Sequence, residues 1–232
     1  MNQVTFQNVK DTTTSPQFNV GQRGQTPDGR EFVYVKSASE AISVGMAVVP
    51  DTVVAVDTVS SSDDALERTV YITKASAGWT VGRFAEAWVY VDAGTGVGQA
   101  GRIKTNTTDT LELYPEFAFG TDLSVADSDI TIREPWSVEK SAVTSEIQGC
   151  VGIAQVAIAS GSYGWVQTRG VGVALAGEAL TVGAAFETGD DTEGTVHKAV
   201  TAKGAFDGQT LGYCLVANAS ADTNALVWIN IE

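Results

Sequence analysis

The chain has 232 residues, a net charge of −14 and 44% hydrophobic residues, enough for one large domain or two smaller ones with proper cores. Its 14 Lys and Arg form no basic cluster and face 28 Asp and Glu, which argues against nucleic acid and anionic membrane surfaces as partners. No apolar run is long enough for a membrane-crossing helix, and "MNQVTFQNVKDTTTSPQ" lacks the basic and apolar pattern of a secretion signal, so no export through a membrane is expected.

Residues 1–30 are polar and rich in Gln, Asn and Thr, with scattered hydrophobes at Val4, Phe6, Val9, Phe18 and Val20. Such a segment cannot bury much of itself. It predicts an extended N-terminal arm whose spaced anchors order on a neighbouring subunit. "TPDGRE" at 26–31 is a turn sequence that leads into the first strand.

From Glu31 the chain reads as strand after strand. "EFVYVKSA" alternates like a half-buried strand. "SVGMAVVPDTVVAVDTVS" follows, with Pro50-Asp51 as a turn between two Val-rich strands. "ERTVYITKASAG", "GRFAEAWVYVDAG", "GRIKTNTTDTLELY" and "DSDITIRE" continue the pattern, and "PWSVEKSAVTSEIQG" at 135–149 reads as a connector. Each strand-like run is short, rich in β-branched or aromatic residues, and closed by Gly, Asp, Asn or Pro.

From Cys150 the same strand style repeats, now with smaller residues. "CVGIAQVAIAS", "GWVQTRGVGVAL", "LGYCLVANAS" and "NALVWINIE" mix Ala and Gly with Val, Ile and Leu, a composition that packs closely against another sheet or another chain. The fold class expected is therefore all-β. The division expected is an arm over 1–30, a first β lobe over 31–140 and a second over 141–232, each barrel-like or sandwich-like.

Catalytic signals are sparse. His197 is the sole histidine, so a triad or a histidine-based metal site lacks parts. Cys150 and Cys214 lie in apolar contexts and read as buried thiols or a single disulfide. "TGDDTEG" at 188–194 gathers oxygen ligands but lacks the full calcium-loop pattern, so a solvated turn is expected. A Gly-x-Gly-x-x-Gly at 96–101 is followed by alternating β-branched residues instead of a helix, which removes the pyrophosphate site. No cofactor and no metal are expected.

Two phrases are distinctive: "GTGVGQ" from Gly94 to Gln99 and "YGWVQTRG" from Tyr163 to Gly170. With "GQTPDGREFVYVKSASEAISVGMAVVP" they resemble structural proteins of tailed-bacteriophage heads, most closely the decoration, or cement, proteins. The resemblance covers most of residues 25–232 in style and short phrases. It implies a non-enzymatic β-rich protein that binds the outer capsid surface and stabilises the expanded shell. The implied partners are the major capsid protein and further copies of itself, a trimer being favoured. The implied location is the virion exterior after synthesis in the host bacterial cytoplasm. The contact residues expected are Phe6, Val9 and Phe18 in the arm and Trp165, Gln167 and Arg169 in the Tyr163–Gly170 phrase. Other virion parts, such as a head fibre base or tail protein, or a carbohydrate-binding β module, remain alternatives.

Overall fold

A computed structural model describes residues 8–38, 40–51, 54–56, 59, 61–62, 70–134, 136–142, 149–189, 192–199 and 209–231. The described chain is all-β, as its composition predicts, with a single 3-10 turn at Pro115–Phe117. Strands β1 (Arg23–Gln25), β2 (Glu31–Ser37) and β3 (Ala47–Pro50) come first. Then come β4 (Val54–Val56), β5 (Ser61–Ser62), β6 (Tyr71–Thr73), β7 (Trp88–Ala93), β8 (Ala100–Asn106), β9 (Thr110–Leu113) and β10 (Asp129–Arg133). The last are β11 (Ser137–Lys140), β12 (Gly152–Ala154), β13 (Tyr163–Ala176), β14 (Ala185–Thr188), β15 (Val196–Lys198), β16 (Gly212–Val216) and β17 (Thr223–Asn230).

The division into lobes differs from the expected 31–140 and 141–232. One unit comprises Met1–Asp51 and Trp136–Glu232, and Thr52–Pro135 forms a second unit inserted into it. The cause lies at Pro50-Asp51. The two Val-rich runs on either side do not pair with each other. β3 pairs with β11 and β12, whereas β4 pairs with β10. The expected connector at 135–149 contains β11, a strand of the first unit, and residues 143–148 lie outside the described ones.

In the first unit the strand pairings close two five-membered rings that share β13. One ring runs β2, β11, β3, β12, β13 and back to β2. The other runs β13, β15, β14, β16, β17 and back to β13. Fourteen residues let β13 serve both: Tyr163–Gln167 lie along β2, and Arg169–Ala176 lie along β17. A bulge between Gln167 and Arg169 marks the handover. Gly170 follows it at φ +97, where a Cβ would lie 2.8 Å from Arg30 Cγ, so the bend requires glycine. The first ring encloses Val33, Val35, Val48, Val138, Ala154 and Val166. The second encloses Ala174, Ala176, Phe186, Val196, Cys214 and Val227.

β2 departs from the half-buried alternation read in the sequence. Val33 and Val35 face the ring interior, and Phe32 and Tyr34 are buried as well. The cover comes from the N-terminal segment. Val9, Phe18 and Val20 pack over Phe32, Tyr34 and Trp165, and Thr13 bridges to Tyr163. Residues 8–25 therefore lie on the chain's own first unit, where an arm toward a neighbouring subunit was expected. The anchors Val4 and Phe6 fall outside the described residues.

The second unit is a seven-stranded antiparallel sheet in the order β4, β10, β7, β8, β9, β6, β5. Inward-facing Val89, Val91, Ile103, Leu111, Leu113 and Ile130 build its core with Phe84 and Phe119. The glycine-rich phrase at 94–99 joins β7 to β8 as a hairpin loop, with Gly94, Gly96 and Gly98 all at positive φ.

Candidate functional site

The six expected contact residues do not share one surface. Phe6 lies outside the described residues. Val9 and Phe18 are half-buried on the chain's own aromatic cluster. Phe18 meets Trp165 edge-on at 5.3 Å between ring centroids and Tyr34 at 5.4 Å, while Tyr34 and Trp165 are 5.1 Å apart. The Tyr34 hydroxyl accepts from the Gln17 backbone N–H at 3.2 Å and shares a hydrogen bond with Thr13 Oγ1 at 3.3 Å. Trp165 and Gln167 are both 0% exposed. Gln167 Nε2 donates to the carbonyls of Arg169 and Val171 at 2.9 and 3.1 Å, which pins the bulge. Arg169 is exposed, with its guanidinium 3.5 Å from Glu31. Within "GSYGWVQTRG", Arg169 is thus the expected contact residue that reaches solvent, and Trp165 belongs to the core.

The residues with catalytic potential are scattered. His197 sits on β15 opposite Glu187 of β14. Cys150 and Cys214 are free and buried. Burial pushes the Cys150 thiol up to about 12 and raises Cys214 as well, which disfavours the nucleophilic thiolate in both. Of the acidic turn, Asp190 and Asp191 lie outside the described residues, and Glu193 pairs with Lys140 at 2.8 Å. Among the described residues no three His, Cys, Asp or Glu are grouped to hold a metal.

What the fold does build is an apolar outer face on the second ring. Successive strand residues point to opposite sides. On β13, β16 and β17, Ala174, Cys214, Ala225 and Val227 point inward and are at most 1% exposed. The alternate residues Val171, Leu226 and Tyr213 point out at 40%, 39% and 44% exposure, and a bulge between Cys214 and Val216 turns Val216, 55% exposed, to the same side. Register aligns them in cross-strand rows. Val171 and Tyr213 both pair with Trp228, and Val173 and Val216 both pair with Leu226. Tyr213 and Trp228 stack at 6.3 Å with their planes 13° apart. None of these three strands carries an Asp or Glu, in a chain with 28 of them. The face can therefore approach another acidic surface without carboxylate repulsion.

The chain matches no family model, no curated protein and no solved structure. Trp165 and Gln167, expected as contacts, are buried, and the open face instead presents Val171, Tyr213, Leu226 and Trp228. A signal for them existed: "VGVALA", "GYCLV" and "ALVWIN" are apolar at both parities, as strands covered on two faces are. Here one of those faces is open to solvent.

Proposed function

We propose that this chain is a non-catalytic virion structural protein: a head decoration protein on the outer capsid surface that stabilises the expanded shell. Its partners are the major capsid protein and further copies of itself, in a trimer. The observation that carries this reading is the carboxylate-free apolar face of β13, β16 and β17. Aromatic residues enriched at interface centres, Tyr213 and Trp228, occupy the middle of that face, and Arg169 and Asn230 lie in the adjacent row. The rest of the molecule is acidic, which keeps free protein soluble and away from packaged DNA. Repeated attachment across a lattice turns modest single contacts into stable coverage.

The test is co-sedimentation with expanded, undecorated shells assembled from the capsid protein of the same genome, read by electron microscopy. Saturable binding at regular lattice positions, lost in Trp228→Ala, is the expected result. Monodisperse protein that leaves the shells bare would overturn the reading.

A further inference from the structure

The second unit carries a different kind of surface. On its outward sheet face, Trp88 of β7 is flanked in register by Arg133 of β10 on one side and Arg102 of β8 on the other. Directly opposed cross-strand residues have Cβ atoms about 5 Å apart, so one indole lies between two guanidinium-bearing side chains. Trp88 is 37% exposed, and its neighbour on the same face, Tyr90, is 45% exposed. The two rings are two residues apart on one strand, about 7 Å along it. Phe117 meets the Trp88 ring at 5.3 Å and 70°, which restrains the indole while more than a third of the residue stays exposed.

The supporting groups are arranged with care. Arg102 is held by an ion pair to Glu86 and lies over the Tyr114 ring at 5.6 Å. Tyr114 donates its hydroxyl to the same Glu86 carboxylate. Glu86 itself sits at φ +71, a conformation that costs a non-glycine residue energy and that clusters at binding sites. The strain is spent on a carboxylate that positions a guanidinium. Arg133 is exposed, and among the described residues it enters no ion pair. Placing a ready cation beside an exposed indole is unusual in a chain of net charge −14.

We propose that the Arg133–Trp88–Arg102 row, extended by Tyr90, is a binding platform for an acidic glycan, with sugar rings stacked on Trp88 and Tyr90 and a uronic or sialic carboxylate held by the guanidinium groups. The C–H face of a pyranose packs on an aromatic plane, and guanidinium matches a carboxylate in a two-point hydrogen-bonded pair. Single-stranded nucleic acid offers rings and anions too, but it carries a phosphate at every step and needs a cationic track. This face interrupts any such track with Glu86 and Asp92. A glycan with a carboxylate only at intervals suits two cations among acids. The inference does not rest on shell binding.

The experiment titrates the full chain with trigalacturonate, a hyaluronan hexasaccharide and a sialylated trisaccharide, read by saturation-transfer NMR and tryptophan emission. Binding of at least one of them is expected, weakened at least tenfold in Trp88→Ala and several-fold in Arg133→Gln, with the salt dependence reduced in the latter. Unchanged thermal midpoints show that these outward-facing variants fold. Maltotriose and cellotriose are expected to bind more weakly, and equally in wild type and Arg133→Gln. Three results would overturn the proposal: no acidic probe bound at millimolar concentration, binding indifferent to both substitutions, or tighter binding of a ten-residue oligothymidylate than of any glycan.

Discussion

Trp165 and Trp228 lie on the same unit and make opposite predictions. Trp165 is enclosed by Phe18, Tyr34 and Phe32, and truncating a buried Trp leaves a large cavity. Trp165→Ala is expected to lower the unfolding free energy by about 3–5 kcal/mol in a urea titration. Trp228 is half-exposed on the outer face, so Trp228→Ala should cost about 1 kcal/mol or less of stability while it abolishes assembly. A Trp228 variant as unstable as the Trp165 variant would mean that the outer face is a second core and not a contact. Cys150 gives a pH test. Its thiol is pushed up to about 12 by burial, against an ordinary value of 9.0. Below the ordinary value both folded and unfolded chains hold the proton, and pH has no grip. Between the two values the unfolded chain releases it and the folded chain does not, so stability falls as pH rises. Urea midpoints at rising alkaline pH should fall more steeply in wild type than in Cys150→Ala. Parallel curves would show that this thiol is not held protonated by the fold.

Strand by strand, the sequence was readable. "EFVYVKS", "WVYVDA", "DITIR" and "TNALVWIN" stand as β2, β7, β10 and β17. Short-range pattern marks such elements because pleat and turn chemistry are local. What local pattern could not show is pairing. Nothing in "GWVQTRGVGVALA" distinguishes two short strands from one long strand that changes partners at a bulge, because the partners β2 and β17 come from opposite ends of the chain. The N-terminal segment lies on its own chain and not on a neighbour for a related reason. Its anchors are spaced for an apolar groove, and spacing does not say whose groove. The structure answers with the chain's own Phe32, Tyr34 and Trp165. Deleting residues 1–22 should therefore uncover that cluster, shift tryptophan emission to longer wavelength and raise dye binding to exposed apolar surface. The far-ultraviolet β signal should persist, because both ring interiors are built from residues after Gly24. Unchanged emission would place the segment elsewhere in solution.

At the scale of the molecule, the insertion is the feature that organises both proposals. The chain leaves the first unit after β3 and returns to it at β11, and those two strands are hydrogen-bonded neighbours, with Val138 opposite Pro50. The Asp51 backbone N–H donates to the Ser137 carbonyl at 2.7 Å. Residues 52–135 thus occupy the place of a hairpin turn. Long insertions at such points cost little, because loop-closure entropy grows by only about 0.6 kcal/mol per doubling of length. The converse predicts that residues 53–135 can be replaced by an Asn-Gly turn, which keeps the β3–β11 register and whose type I′ geometry suits a two-residue hairpin. The shortened chain should stay monodisperse and unfold in one cooperative step, with a urea midpoint no lower than that of the parent. Each unit has its own core, since the ring residues and the seven-stranded sheet form separate buried clusters. The same molecule separates the two activities. It keeps Val171, Tyr213, Leu226 and Trp228 and should still coat shells, but it lacks Trp88, Arg102 and Arg133 and should no longer bind an acidic glycan. Aggregation of the shortened chain would show that the first unit needs the second to fold. Retained glycan binding would move that site off the inserted sheet.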